Sequence, residues 1–157
     1  MLVLRQDEGD APGPPQPLMG HQKLELSRRA TLANRLQPDL FVSVHANDGP
    51  PRAHGPIVFI GKSPTARTLR CATEVERRLV RVMGGKARVE TGDFYLLKNV
   101  RASSMLVETG FLSNAGDRAM LTNPKSRQRI ARAIAGGIAA GLSAATAQNR
   151  GQSLDQD

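Results

Sequence analysis

The sequence predicts an α/β domain: a twisted, mostly parallel sheet flanked by helices. Three observations carry that expectation. Short, nearly continuous apolar runs of strand length alternate with segments whose apolar residues recur every three to four positions. Glycine and proline punctuate most of the junctions between them. A length of 157 residues suits one compact domain better than two.

Residues 2–4 form a short apolar run, read as the stump of a strand. Pro12, Pro14, Pro15 and Pro17 forbid regular structure and make residues 9–20 a loop. Over residues 24–36, Leu26, Ala30, Ala33 and Leu36 recur at helical spacing, and Pro38 helps end that helix. Asn34, near its end, reads as a C-cap. Residues 40–45 are nearly all apolar, as expected for a strand covered on both faces. A loop over residues 46–55 precedes a second strand at residues 57–60. In residues 68–83, Cys71, Val75, Leu79 and Val82 share one helical face, and Gly84-Gly85 breaks the helix. Residues 94–97 and 105–107 read as further short strands. Asn123-Pro124 supplies an N-cap and first-turn proline for a last helix, lined on one face by Ile130, Ile134, Ile138 and Leu142. The domain is expected over residues 1–143, with a polar, frayed tail at 144–157.

Composition narrows the function. No apolar run approaches the roughly 18–20 residues of a membrane span, so membrane insertion is not expected. Lys and Arg number 22 against 14 Asp and Glu, a formal charge of +8 that favours an anionic partner. Aromatic residues make up 3% with no Trp, which supplies base stacking poorly and argues against nucleic acid. The single cysteine, Cys71, excludes a disulfide framework and reads as a buried structural thiol. No secretory signal is visible at the amino end, where residues 1–5 lack the charged and apolar regions of one.

Two polar residues close strands. His45 ends the first apolar run and Glu108 follows residues 105–107. In open α/β sheets, sites gather at the carboxyl ends of strands, so the two could converge on one metal or one substrate. Imidazole is a common zinc ligand, and a nearby carboxylate can bind the metal or act on its water. His21 and Glu25 stand at a chelating i, i+4 spacing, but His21 is expected ahead of the helix, and His54 in its Pro/Gly loop reads as solvated. Arg77, Arg78, Arg81, Lys86 and Arg88 read as a solvated basic face. Ser43, Ser103, Ser104 and Ser113 lack the Gly-x-Ser-x-Gly setting of a nucleophile elbow.

Three stretches carry a resemblance. Residues 26–34 (LSRRATLAN) resemble the "L-x-x-R-x-x-x-A-N" helix of zinc-dependent N-acetylmuramoyl-L-alanine amidases. Residues 39–47 (DLFVSVHAN) resemble the "D-L-F-(I/V)-S-(I/V)-H-A-N" strand of that family, and residues 106–114 (LVETGFLSN) its "L-V-E-x-G-F-L-S-N" strand and turn. Order and spacing also fit, over about residues 2–142. The resemblance implies hydrolysis of the amide between N-acetylmuramic acid and the L-Ala of the peptidoglycan stem by a zinc-activated water. It implies His45 as a metal ligand, Glu108 as the catalytic glutamate, and Asn47 on the rim of the substrate groove beside residues 110–114. It further implies peptidoglycan as partner and a place in the periplasm or at the cell wall.

The family's first block, a strand ending in a "D-x-G-H-G-G"-like segment with one zinc histidine, has no counterpart here, nor does the following helix with its glutamate ligand. Residues 2–5 (LVLR) resemble the later "V-x-L-T-R" strand. An amino-terminally incomplete amidase domain with an unpaired sheet edge and weak or absent zinc binding is therefore expected. A non-catalytic peptidoglycan-binding relative is the alternative, and a basic nucleic-acid-binding domain a third reading.

Overall fold

The structure, a computed structural model, describes the backbone of residues 18–154 and the side chains of residues 23–143. The strand stump expected at residues 2–4 lies outside the described residues.

Among the described residues four strands form one sheet in the order β1 (Phe41–Asn47), β4 (Ser104–Phe111), β2 (Ile57–Ile60), β3 (Val89–Thr91). β1 pairs with β4 and β2 with β3 in parallel, whereas β2 and β4 run antiparallel, so the sheet is mixed. β4 is central and every one of its residues is buried, the consequence of helices on both faces. Among the described residues β1 lies at an edge, with Val44 exposed.

Helices α2 (Ala66–Met83) and α5 (Pro124–Leu154) cover one face, where Val58, Ile60, Cys71, Val75, Leu79, Met105, Val107, Ile130 and Ile134 make the main core. Helices α1 (Leu18–Leu36) and α3 (Tyr95–Asn99) cover the other, around Ala30, Ala33, Phe41, Leu96 and Val100. Thr65 caps α2 by accepting the Thr68 N–H, and Gly84, at φ 79°, ends it in a conformation that favours glycine. Cys71 is fully buried, as its helical face requires.

Several local expectations are corrected. α1 starts at Leu18, so residues 18–20 are helical rather than loop, and His21 lies within the helix. Asn34 is no cap: its Nδ2 donates to the Asn99 carbonyl and its Oδ1 accepts from the Arg101 N–H, which ties α1 to the end of α3. Residues 94–97 are not a strand. Phe94 is the extended residue before α3, whose Leu96 and Leu97 are buried, and a four-residue apolar run has no periodicity to separate the two states. The strand there is β3, an exposed edge segment without an apolar run. α4 (Ala115–Thr122), capped by Asn114, was not foreseen. α5 continues past Ser143 to Leu154.

Candidate active site

β1 and β4 deliver His45 and Glu108 side by side. Their Cα atoms are register partners in the parallel ladder, about 4.8 Å apart at ordinary strand spacing. Because side chains alternate, both point to the α1 side with Phe41 and Ser43, while Val107 turns to the α2–α5 core. The strand ends are locked together. Thr109 Oγ1 donates to the His45 carbonyl at 2.8 Å and the Leu112 N–H to the Asn47 carbonyl at 2.7 Å. Between His45 and Asn47 the register shifts, so the chain bends just after the histidine.

Glu108 is 8% exposed, and its Oε2 is buried without a hydrogen-bond partner among the described residues. Burial pushes its carboxyl above the ordinary carboxylate range, because the charged form loses its water there. His45 is half-buried, with its Nε2 2.7 Å from Ser43 Oγ. Burial lowers its pKa, and the positive charge of Arg29 on α1 lowers it further. The imidazole is thus held neutral near pH 7, with a ring nitrogen able to accept a bond or a metal.

The rim is organised around the end of β4. The Asn47 Oδ1 accepts from the Asp48 N–H, and Gly49 N–H donates to Ser113 Oγ. Asp117 on α4 is 4% exposed, and its Oδ2 accepts from both the Gly55 and Phe111 N–H groups at 2.8 Å. That one carboxylate fastens the β1–β2 loop to the last residue of β4. Sequence reasoning missed Asp117, Arg29 and Ser43 as parts of the site. Only the alternation that puts Ser43 two residues before His45 could have signalled one of them.

The remaining candidates stay apart. Glu25 accepts from Arg28 at 3.3 Å, and the side chain of His21 lies outside the described residues. His54 is exposed in its loop, where its carbonyl accepts from Arg88. In the basic cluster Arg77 pairs with Glu74 at 2.6 Å. Among the described residues no three His, Cys, Asp or Glu side chains gather as a metal site.

With this geometry in hand, comparison with known proteins is specific. The N-acetylmuramoyl-L-alanine amidase family matches residues 8–140. An uncharacterised cell wall amidase of Bacillus anthracis is 35% identical over 121 residues, 72% of this chain and 23% of that protein. The N-acetylmuramoyl-L-alanine amidase LytC of Bacillus subtilis is 32% identical over 112 residues, 69% of this chain and 23% of its own length. Among solved structures, the CwlD amidase of Clostridioides difficile, in complex with the GerS lipoprotein, superposes with a TM-score of 0.76 at 26% identity, over 91% of this chain and 72% of that one. The amidase Ami1 of Mycobacterium smegmatis does so at 0.68 and 30% identity, over 76% and 61%. The chain spans about a quarter of the length of each of those two curated relatives.

Proposed function

This chain belongs to the N-acetylmuramoyl-L-alanine amidase family, and from that premise we propose that it carries the catalytic carboxylate of a peptidoglycan hydrolase, at Glu108. The substrate bond is the amide between N-acetylmuramic acid and the L-Ala of the stem peptide. The observation that carries the reading is the register pairing of Glu108 with His45, one carboxylate oxygen being buried and unpartnered. A carboxyl raised toward neutrality by burial is suited to general acid–base work. Glu108 takes the proton of the attacking water and hands it to the departing amine of L-Ala. Asn47 lies on the rim and orients the substrate.

His45 is the imidazole that the resemblance assigns to zinc. A catalytic zinc keeps three protein ligands, and no group of three gathers among the described residues. They do not by themselves fit the ion, and no step is routed through it. That shortfall favours, as the second reading, a relative that holds peptidoglycan without cleaving it.

A formal net charge of +8 suits a polymer whose stems carry carboxylates, and the cell wall amidase among its relatives supports a place outside the cytoplasmic membrane, in the periplasm or at the wall. No helix among the described residues is long and apolar enough to cross a membrane. The test uses insoluble peptidoglycan, with this chain and with a form spanning its relatives' length. Retention on peptidoglycan and release of new L-Ala amino termini by the longer form are expected. Retention without release in both forms selects the second reading. Capture by DNA with a steep loss on added salt, and none by peptidoglycan, overturns both.

A further inference from the structure

At the far end of the sheet from His45 lies a cavity of ≈ 350 Å³ that amide hydrolysis does not use. It opens where β4 begins, four residues before Glu108 and thus about 13 Å from it along the strand. Three features converge there. The cavity wall includes the cations Lys62, Lys98 and Arg101 and one carboxylate, Asp93, which pairs with Lys98 at 3.1 Å. Lys62 and Arg101 make no ion pair among the described residues, so the cavity is left with two uncompensated positive charges.

The amino end of α2 also meets the cavity. Thr65 lines it and caps only the Thr68 N–H, which leaves the first-turn amides of Ala66 and Arg67 without helical acceptors. The positive end of the helix dipole reinforces the lysines and arginine. Independently, Ser104 lines the cavity from the sheet. It is 8% exposed, and its hydroxyl has no hydrogen-bond partner among the described residues. The residue is buried while its hydroxyl opens onto the cavity, where it can donate to an acceptor that a ligand supplies.

We propose that this cavity is a binding site for a phosphate group, held between the first turn of α2, the Ser104 hydroxyl and the Lys62 and Arg101 side chains. Donors converge from a helix, a strand and two loops, more than a carboxylate's two oxygens use and suited to a tetrahedral oxyanion carrying nearly two charges. The volume is at the small end for ligand pockets, which fits inorganic phosphate or a compact phosphomonoester. Asp93 screens Lys98 and leaves the other two cations to the ligand.

The experiment titrates the full chain with inorganic phosphate at constant ionic strength, following backbone amides by NMR. Saturable shifts at Ala66, Arg67 and Ser104 are expected. Lys62→Ala and Arg101→Ala are surface substitutions that leave the core intact, and each should weaken the affinity about tenfold, the worth of one charge-assisted hydrogen bond. Ser104→Ala, which removes only the hydroxyl, should weaken it about threefold with an otherwise unchanged spectrum. Glycerol 3-phosphate in a second arm separates the sources: tighter binding than inorganic phosphate identifies a phosphomonoester as the ligand, and equal binding the free ion. Equal shifts from acetate, shifts centred on the Arg77–Arg88 face, or an affinity indifferent to Lys62→Ala overturn the site.

Discussion

His45 and Glu108 are direct partners across the parallel β1–β4 ladder, so an imidazole and a buried carboxyl leave two adjacent strands on the same face. The pairing gives each residue a different environment. Burial lifts the carboxyl, and burial together with Arg29 depresses the imidazole, so each group is biased toward its neutral form. Arg29 adds a positive charge beside the pair, and that charge is one cause of the lowered imidazole pKa.

From this follows the first prediction. In a form of the protein that hydrolyses peptidoglycan, Glu108→Ala should lower kcat about 10²- to 10⁴-fold, the usual worth of a positioned acid–base group. The isosteric Glu108→Gln should do the same without loss of stability, because the buried carboxylate is replaced by a group that carries no desolvated charge. Metal content should be largely spared in both. Loss of metal together with activity would instead make Glu108 a ligand.

The second prediction concerns the metal directly. After dialysis the 157-residue chain should retain well under one zinc per molecule, since His45 and Glu108 fall short of three ligands. His45→Ala should reduce what remains. Elemental analysis of the dialysed protein decides it, and stoichiometric zinc would show that further ligands come from outside the group described.

Much of this site was legible in the sequence because apolar runs lead into both motif residues, although neither closes its strand: β1 continues past His45 to Asn47 and β4 past Glu108 to Phe111. The runs before His45 and Glu108 are β1 and β4 as expected, and Asn47 ends β1. What could not be read is which strands would be neighbours. The register that pairs His45 with Glu108 is a long-range property, 63 positions apart in sequence, and so is the antiparallel approach of β2 to β4. Arg29 faces His45 only because α1 packs over β1, which helical spacing alone does not specify. α3 escaped because Leu96 and Leu97 are adjacent apolar residues in an element too short to show a period. β3 escaped because it is held by ladder hydrogen bonds to β2 rather than by burial.

A third prediction rests on Glu76, outside the site. It is 1% exposed on α2; its Oε1 accepts the Arg88 N–H at 2.7 Å, and its Oε2 is buried without a partner among the described residues. Burial pushes its carboxyl from 4.5 up to about 7, Arg88 opposing the rise and Glu90 adding to it. An acid whose pKa is raised on folding keeps its proton longer in the folded state. Stability from this group is therefore full below about pH 4.5 and is lost as pH rises toward 7, by on the order of 3 kcal/mol. Urea unfolding at several pH values should show that fall, and Glu76→Gln should flatten it. An unchanged slope in the variant would assign the pH dependence elsewhere.

The fourth prediction tests how closely α5 lies on α2. Gly137 and Gly141 stand one turn apart on α5, where an added Cβ would come within 2.5 Å of Val75 Cα and 2.6 Å of Cys71 Cα respectively. Both neighbours are backbone atoms of a buried helix, so neither can swing aside as a side-chain tip could. Gly137→Ala and Gly141→Ala should each force α5 away from α2 and cost about 1–3 kcal/mol, as overpacking does in a tight core. Gly136 is the internal control. Its added methyl would meet only the Arg78 guanidinium, at 3.5 Å, so Gly136→Ala should gain up to about 1 kcal/mol from helix propensity. Chemical denaturation of the three variants reads the difference in sign. If Gly137→Ala were as stable as Gly136→Ala, the two helices could not be in backbone contact at Val75.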